Sequence, residues 1–235
     1  MASPAVEEVP DEFVLLARVV SLFGADVLDL GCGNGEMSRR ALLEGGAARV
    51  VGLEMDDIQL SRNLAATLPR GLCFQRGGAE DTGFDAESFD VVTMFKSLHH
   101  VPVADMDRAL AEIHRVLRPG GELYVSEPVF AGEFNEVMRL FHDEERVRAE
   151  ALSALRRAVA NGLFAERAEI HFMAPIGFRD FADFERRMMN VTHTRHAFDA
   201  ALVARIKARF EEALASNGGC FMRPMRVNLL SRATG

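Results

Sequence analysis

The sequence predicts an α/β fold in which helices cover both faces of a doubly wound, mostly parallel sheet of seven strands, with helical insertions forming a cap. Two observations carry this prediction. Short apolar runs alternate with stretches of helical periodicity through the first half of the 235-residue chain, which is typical of a parallel sheet with helical crossovers. The second half departs from this alternation with a long amphipathic stretch.

Five short apolar runs in the first half have the length and composition of buried strands. These predicted strands cover residues 27–30, 49–53, 72–74, 89–94 and 122–126. Helical patterns fill three of the connections, at residues 36–43, 58–68 and 106–117. The last of these patterns stops at Pro119, because proline cannot continue a helix.

The second half predicts cap material and two more strands. Apolar residues recur at helical spacing from Phe134 to Val159 and interrupt the strand–helix alternation. Further helical patterns cover 181–189 and 200–215, and strand patterns cover 170–173 and 225–230. We expect residues 129–165 and 177–198 to cover the carboxyl edge of the sheet. No linker rich in Pro, Gly or Ser divides the chain, so residues 1–235 are predicted to form a single domain.

The composition is that of a globular protein, and its charge disfavours a nucleic-acid partner. Apolar residues make up 49% of the chain and charged residues 26%, and the formal net charge of −8 would repel a phosphate backbone. Cys32, Cys73 and Cys220 show no zinc-site spacing. The first ten residues lack the basic segment of a signal peptide, and no apolar run approaches the ~18 residues of a membrane helix. We therefore expect a cytoplasmic monomer or homodimer without a membrane partner.

The most specific motif is the glycine-rich turn 29-DLGCGNG-35, which follows the first predicted strand. Glycine lets the backbone turn tightly and approach a ligand without an intervening Cβ. Glu54 ends the next strand, where a carboxylate can accept hydrogen bonds from both hydroxyls of a ribose. Taken alone, such a turn is also compatible with a structural role or with nucleotide binding in general. Its GxGxG spacing differs from the GxGxxG of pyrophosphate-binding turns, which favours a cofactor without pyrophosphate, such as S-adenosylmethionine.

Residues 29–35 resemble the first motif of the class I S-adenosylmethionine-dependent methyltransferases, which have a Rossmann-like sheet. Residues 88–92 resemble the fourth-strand motif of that family, and residues 112–121 resemble the segment that leads into its fifth strand. The order and spacing of the motifs also match. The nearest group is the small-molecule branch that includes the ubiquinone/menaquinone C-methyltransferases. The resemblance covers about residues 13–128 and leaves the remainder unassigned.

The resemblance implies a site for S-adenosylmethionine, with S-adenosylhomocysteine as its product. By this resemblance, Gly31 and Gly33 would border the methionine moiety, and Asp29 would orient its ammonium group. Glu54 would bind the ribose, and Met55 would pack on the adenine face.

One motif departs from the family pattern. Family members often read Gly-Asp-Ala-Glu after the third strand, with the aspartate on the adenine amine, whereas this chain has glycine at position 78. Adenine recognition is therefore expected to depend on the Ala79 backbone, on Glu80 or on a water molecule. Cys32 in the turn and Phe95 after the fourth strand complete the predicted cofactor site.

The catalytic candidates follow strands four and five, because ligands of open α/β sheets bind beyond the carboxyl ends of the strands. Methyl transfer from a sulfonium mainly requires alignment and exclusion of water, and a base only when the acceptor carries a proton. Lys96 is a candidate for holding an anionic group, and His99 or Glu127 is a candidate for the base. Each residue also has a purely structural interpretation. Lys96 could be a solvated surface lysine, His99 could only pack against its neighbours, and Glu127 could cap a helix.

The predicted substrate-binding residues lie after these strands and in the expected cap. They are His100, Phe130, Asn135, Arg187, His193, Arg195 and Arg223. The mixture of cations and carboxylates, in a chain with no Trp and one Tyr, favours a small, polar, acid-bearing or amino-acid-like metabolite over a quinone. A solvated cap surface is the alternative interpretation.

Other functions are weighed by the motifs they would require. A nicotinamide-dependent oxidoreductase would show GxGxxG, and an amino-methylating nucleic-acid enzyme would usually show Asn-Pro-Pro or Asp-Pro-Pro after strand four; this chain has neither. A quinone-type C-methyltransferase and a non-catalytic S-adenosylmethionine-binding regulatory protein remain as alternatives. No metal is expected, because no cluster of His, Cys and carboxylate shows ligand spacing and sulfonium chemistry needs no Lewis acid.

Overall fold

The computed structural model describes residues 6–190 and 198–233. Its strands are β1 (Glu7–Glu8), β2 (Asp26–Leu30), β3 (Arg49–Glu54), β4 (Leu72–Arg76), β5 (Phe89–Phe95), β6 (Leu117–Pro128), β7 (Phe164–Gly177) and β8 (Cys220–Arg232). They form one sheet in the order β1-β7-β8-β6-β5-β2-β3-β4. Strand β8 runs antiparallel to β6 and β7, and the other pairs are parallel. The predicted mostly parallel α/β sheet is confirmed, but it has eight described strands rather than seven, because the two-residue β1 pairs with the edge of β7.

The helices of the described residues are α1 (Glu12–Val19), α2 (Glu36–Leu43), α3 (Asp57–Ala65), α4 (Met106–Val116), α5 (Glu133–Met138), α6 (Glu145–Ala160), α7 (Phe181–Phe184) and α8 (Ala200–Ser216). Helix α1 has no counterpart in the sequence prediction. Asp11 caps its N-terminus, and the Asp11 side chain accepts a hydrogen bond from the Phe13 amide. Asp56 caps α3 in the same way, and Asp57 is the first helical residue.

Both faces of the sheet are buried, which explains the continuous apolar runs of its central strands. In β2, Leu28 and Leu30 pack in one core with α4 and α6. Val27 points to the opposite face, into a core shared with α1, α2 and α3. Because successive side chains alternate between faces, Asp29 lies on the same face as Val27, beneath the N-terminal helices.

Helix α6 differs from its predicted place in the cap. Its apolar stripe, which includes Ala151, Ala154, Leu155 and Ala158, is part of the core that also contains α4 and the central strands. Periodicity showed that this segment has one apolar face but could not show which surface that face covers. Residues 145–160 of the expected cap segment therefore belong to the helix layer of the sheet.

A separate core, rich in phenylalanine, joins α5, α7 and α8 to the ends of β7 and β8. Its rings pack with centroid distances of 4.7 to 6.2 Å. The central rings are Phe134, Phe178, Phe184, Phe210 and Phe221. Helix α8 belongs to this cap although it lies outside the predicted cap ranges, and residues 191–197 of those ranges lie outside the described residues. In the part of the chain that is described, no helix is long and apolar enough to cross a membrane.

Candidate active site

The glycine-rich turn connects the end of β2 to the start of α2. Gly31, Gly33 and Gly35 have φ angles of 69°, 55° and 71°, in the left-handed region that favours glycine. A Cβ on Gly31 would lie 2.6 Å from the Cβ of Ser97, so this residue is also constrained by packing. A Cβ on Gly33 would meet nothing within 4 Å. Gly33 therefore faces open space, which leaves its backbone accessible to a ligand.

A cavity of about 240 Å³ opens beside this turn. It is lined by Asp29, Gly31, Cys32, Gly33, Asn34, Glu36, Met37, Phe95 and Lys96. The structure thus brings together five of the predicted cofactor residues and Lys96. Sequence reasoning missed Asn34, Glu36 and Met37, which continue the turn into α2 and were treated only as the start of a helix.

Asp29 is buried at the base of this cavity and is held by two hydroxyl groups. Ser38 Oγ donates to one carboxylate oxygen at 2.6 Å, and Thr93 Oγ1 donates to the other at 3.0 Å. Burial raises the pKa of Asp29 to about 6, and these two hydrogen bonds only partly oppose that rise. An ammonium group placed beside this carboxyl would favour its charged form, so Asp29 fits the role implied for it.

Glu54 fixes the turn from the end of β3. Its Oε2 accepts a hydrogen bond from the Gly33 amide at 2.7 Å, and its Oε1 accepts from the amides of Met55 and Asp56, each at 2.8 Å. Each carboxylate oxygen has two acceptor positions, so Oε2 keeps one for a ribose hydroxyl. Met55 is half-exposed beside it. The bracing of the turn by Glu54 is a role that sequence reasoning did not anticipate.

In the loop after β4, Glu80 covers the glycine that stands where family members often have an aspartate. A Cβ on Gly78 would lie 2.5 Å from a carboxylate oxygen of Glu80, because the Glu80 side chain folds back over this glycine. Ala79 is buried and packs in the core of the sheet. A larger residue at position 78 would require the flexible Glu80 side chain to move. Adenine recognition through Ala79 or Glu80 stays a prediction.

Lys96 directly follows β5 and has a left-handed conformation, with φ of 56°, which is uncommon for a residue other than glycine. Its amide donates to the Ser126 carbonyl at 2.7 Å. Its ammonium group forms an ion pair with Glu12 of α1 at 2.5 Å. The predicted anion-binding lysine is thus already paired, and it links α1 to the lining of the cavity.

His99 lies on the other face of the sheet from Asp29, buried between two glutamates. Its Nδ1 is hydrogen-bonded to Glu127, and its Nε2 lies 3.4 Å from Glu144. Burial by itself lowers the pKa of His99, but the hydrogen bonds and charges of Glu127 and Glu144 outweigh it and raise that pKa to about 9. His99 is therefore protonated at neutral pH.

Glu127 caps the short helical turn after β5, which consists of Leu98–His100 and carries His99. Its Oε1 accepts hydrogen bonds from the amides of Leu98 and His99 at 2.9 and 3.3 Å. The carboxylate is almost fully buried. Glu127 therefore caps a helical turn, which is the structural interpretation given above. It also forms an ion pair with His99 that the sequence did not reveal.

His99, His100 and Glu144 also form a group that could hold a metal ion. One ligand atom from each lies within 4.8 Å of the others. Sequence spacing did not reveal this group, because Glu144 is far from the histidine pair along the chain. The expectation of a metal-free protein therefore stays a prediction that needs a direct test.

Three predicted substrate residues lie near the ends of β6 and β8. The Phe130 ring lies under the guanidinium groups of Arg139 and Arg148, at 5.2 and 6.0 Å. Asn135 is buried and accepts a hydrogen bond from Arg148 at 3.1 Å. Arg223 is half-buried near the start of β8, and its Nε has no hydrogen-bond partner among the described residues.

The other predicted substrate residues lie elsewhere. His100 is exposed and packs against His99, with ring centroids 4.1 Å apart and the rings tilted by 41°. Arg187 is exposed on the cap, donates to the Gly177 carbonyl at 2.8 Å and lies over the Phe178 ring, so it braces the cap. His193 and Arg195 lie outside the described residues.

Similarity to known proteins is strongest in the half of the chain that contains the glycine turn. A family model described as a methyltransferase domain matches residues 28–125. The chain is 36% identical over 109 residues to the ubiquinone biosynthesis O-methyltransferase of Pseudomonas syringae pv. tomato, covering 45% of each protein. It is 37% identical over 107 residues to the phthiotriol/phenolphthiotriol dimycocerosates methyltransferase of Mycobacterium leprae, covering 46% of this chain and 39% of the relative. The matches thus span less than half the length of these relatives.

Structural similarity extends over nearly the whole chain. The YcgJ protein of Bacillus subtilis superposes with a TM-score of 0.67 at 20% identity, covering 95% of this chain and 98% of that one. At this identity the likeness shows the fold alone. Residues 28–125 match a methyltransferase domain, and in this part the sequence is similar to that of curated methyltransferases.

Proposed function

We propose that the protein transfers the methyl group of S-adenosylmethionine to a small, polar, acid-bearing metabolite bound at the carboxyl edge of the sheet. The observation that carries this proposal is the lining of the cavity. The open backbone at Gly33 and the buried carboxyl of Asp29 suit the methionine end of the cofactor, while Lys96 brings a cation to the same cavity. The bound cofactor would supply an activated methyl group.

The protein would position the cofactor and the acceptor rather than activate either of them chemically. Glu54 would hold the ribose through the free acceptor position of its Oε2, and the glycine turn would orient the sulfonium. An in-line displacement then needs the acceptor atom held close to the methyl group with water excluded. Asp29, which lines the cavity, is buried, and this suits the exclusion of water.

His99 fits a positioning role better than the role of a general base. A base must be unprotonated at working pH, whereas the flanking carboxylates of Glu127 and Glu144 keep this imidazole charged. Glu127 in turn accepts hydrogen bonds from His99 and two amides. We propose that the pair holds the helical turn after β5 in place beside the cofactor cavity.

A quinone-type acceptor is the second candidate, and one observation favours it. The cap core consists largely of phenylalanine, although the absence of Trp argued against an aromatic surface. Most of these rings fill the cap itself, so the observation is weaker than the polar lining near Lys96. The relatives named above match only the cofactor half of the chain, so their acceptors do not decide between the candidates.

Methyl transfer from radiolabelled S-adenosylmethionine to a panel of carboxylic acids, amino acids, phenols and quinols tests this proposal. We expect transfer to an acid-bearing acceptor. Lys96→Ala should lose at least tenfold in kcat/KM, because one charge-assisted hydrogen bond contributes about 1.5–3 kcal/mol. His99→Ala and Glu127→Ala should also reduce turnover, by displacing the turn after β5.

The matched control is Lys207→Ala, since Lys207 is exposed on α8. The proposed site is wrong if Lys96→Ala, His99→Ala and Glu127→Ala all keep wild-type turnover on the true substrate. Transfer only to a quinol would favour the second candidate, and transfer to no acceptor despite cofactor binding would favour a regulatory protein.

We expect methyl transfer to continue at the same rate after treatment with a chelator, because no metal is expected to take part. If the chelator abolishes turnover and one added metal restores it, His99, His100 and Glu144 would be assigned to a metal site.

A further inference from the structure

Three side chains from three different elements hold successive peptide groups of the glycine turn. Glu54 of β3 accepts a hydrogen bond from the Gly33 amide at 2.7 Å. Asn63 of α3 donates its Nδ2 to the Gly33 carbonyl at 2.7 Å, and Arg39 of α2 donates to the Asn34 carbonyl at 2.6 Å. The backbone on both sides of Gly33 is therefore fixed in direction as well as in position.

Asn63 is buried within this arrangement, and its orientation is set. Only 2% of the residue is exposed, and a buried amide side chain costs free energy of folding unless its polar atoms are hydrogen-bonded. Its Oδ1 accepts a long hydrogen bond of 3.5 Å from the Arg39 guanidinium, while its Nδ2 faces the Gly33 carbonyl. Exchanging the two ends of the amide would place donor against donor and acceptor against acceptor.

The orientation of Asn63 determines the direction of the next amide in the turn. The peptide between Gly33 and Asn34 is trans, so its carbonyl and its N–H group point in opposite directions. The carbonyl points to Asn63 of α3. The Asn34 amide therefore points away from α3, and it pairs with no acceptor among the described residues.

The cofactor cavity lies on the side of the turn that is opposite to α3. Strand β2, which leads into the turn, has β3 on one side and β5 on the other. Helix α3 follows β3, whereas Phe95 and Lys96 at the end of β5 line the cavity together with Gly33 and Asn34. The Asn34 amide is therefore presented as a hydrogen-bond donor to a ligand in the cavity.

We propose that Asn63 is a positioning residue for the cofactor. By holding the Gly33 carbonyl against α3, it turns the Asn34 amide toward the cavity, where this amide donates a hydrogen bond to the carboxylate of the methionine moiety. The role rests on the proposed function, in which Asp29 binds the ammonium group of the same moiety. Both groups are attached to one carbon atom, so a carboxylate held close to Asp29 needs a donor nearby.

The alternative is a purely structural role, in which the hydrogen bond of Asn63 only joins α3 to the turn. Loss of the bond would then distort the turn and disturb Glu54, because Glu54 is bonded to the Gly33 amide. Binding of the whole cofactor would weaken in that case. The proposed role concerns only the carboxylate, so a ligand that lacks this one group separates the two roles.

The test measures the dissociation constants of S-adenosylhomocysteine and of its decarboxylated analogue by isothermal titration. The wild type should bind S-adenosylhomocysteine more tightly than the analogue. Asn63→Asp and Asn63→Leu each remove the donor to the Gly33 carbonyl. Both variants should bind S-adenosylhomocysteine roughly tenfold more weakly, the lower end of the range for losing a hydrogen bond to a charged group. Both should bind the analogue as the wild type does, which also shows that they are folded.

Asn217→Asp is the matched control. Asn217 also donates its Nδ2 to a backbone carbonyl at 2.7 Å, but this carbonyl belongs to Ala213 of the cap helix α8. The control variant should bind both ligands as the wild type does.

The outcomes separate this role from the proposed function. If S-adenosylhomocysteine fails to bind to the wild type, the proposed function fails. If it binds, three results would each overturn the role of Asn63 and leave the proposed function standing. They are equal affinity of the wild type for the two ligands, unchanged affinity for S-adenosylhomocysteine in both variants, and an equal loss of affinity for both ligands.

Discussion

Replacing Gly31 with alanine is expected to destabilise the protein by roughly 2–5 kcal/mol and to abolish cofactor binding. A left-handed conformation costs about 1–2 kcal/mol for a residue with a Cβ. Overpacking typically adds about 1–3 kcal/mol, since the new Cβ would lie 2.6 Å from the Cβ of Ser97. The loss would appear as a lower midpoint of denaturant unfolding with an unchanged slope.

Gly33→Ala is the matched control for this prediction. The backbone is also left-handed there, but a Cβ would meet nothing within 4 Å. Its stability should therefore fall by only about 1–2 kcal/mol, while cofactor binding still weakens because the methyl group enters the open space. Equal stability losses in the two variants would contradict the packing described for Gly31.

His99→Ala is expected to cost about 3–5 kcal/mol of stability, the range for removing one partner of a buried ion pair. The substitution would leave Glu127 and Glu144 buried without the cation between them. Denaturant unfolding at neutral pH measures the loss. His171→Ala provides a control, since His171 is 52% exposed and should change stability by less than about 0.5 kcal/mol.

The same ion pair makes the stability depend on pH in a defined direction. Because the folded-state pKa of His99 is raised from 6.5 to about 9, its contribution is fully present below pH 6.5 and is lost as the pH rises through 9. At 1.36 kcal/mol for each tenfold change in proton affinity, this contribution is on the order of 3 kcal/mol. His99→Gln should remove the decline in stability between pH 6.5 and 9. A decline of the same size in the variant would show that another group causes it.

The cofactor half of the site could be predicted because its determinants are local. The strand, the turn at Gly31 and Gly33, and the acid at Glu54 each follow from the backbone geometry of a strand–turn–helix unit. Five of the predicted cofactor residues line one cavity in the structure, together with Lys96, which was predicted as a catalytic residue. The hydroxyl groups that hold Asp29 were missed, because one comes from α2 and the other from the neighbouring strand β5.

The contacts around Lys96 could not be predicted in the same way, because they join distant parts of the chain. Glu12 and Lys96 are 84 positions apart, and no local pattern marks a glutamate in the first turn of a helix as a partner of a strand-end lysine.

The measurement that tests the central claim most directly is isothermal titration of the purified protein with S-adenosylmethionine, S-adenosylhomocysteine and NAD. We expect both adenosyl compounds to bind and NAD not to bind. Glu54→Ala should weaken binding by about 1–3 kcal/mol, the range for losing hydrogen bonds to a charged group. Glu166→Ala, at an exposed position on β7, should bind as the wild type does. Binding of NAD in place of the adenosyl compounds, or unchanged affinity in a folded Glu54→Ala variant, would contradict the assignment of this turn as an S-adenosylmethionine site.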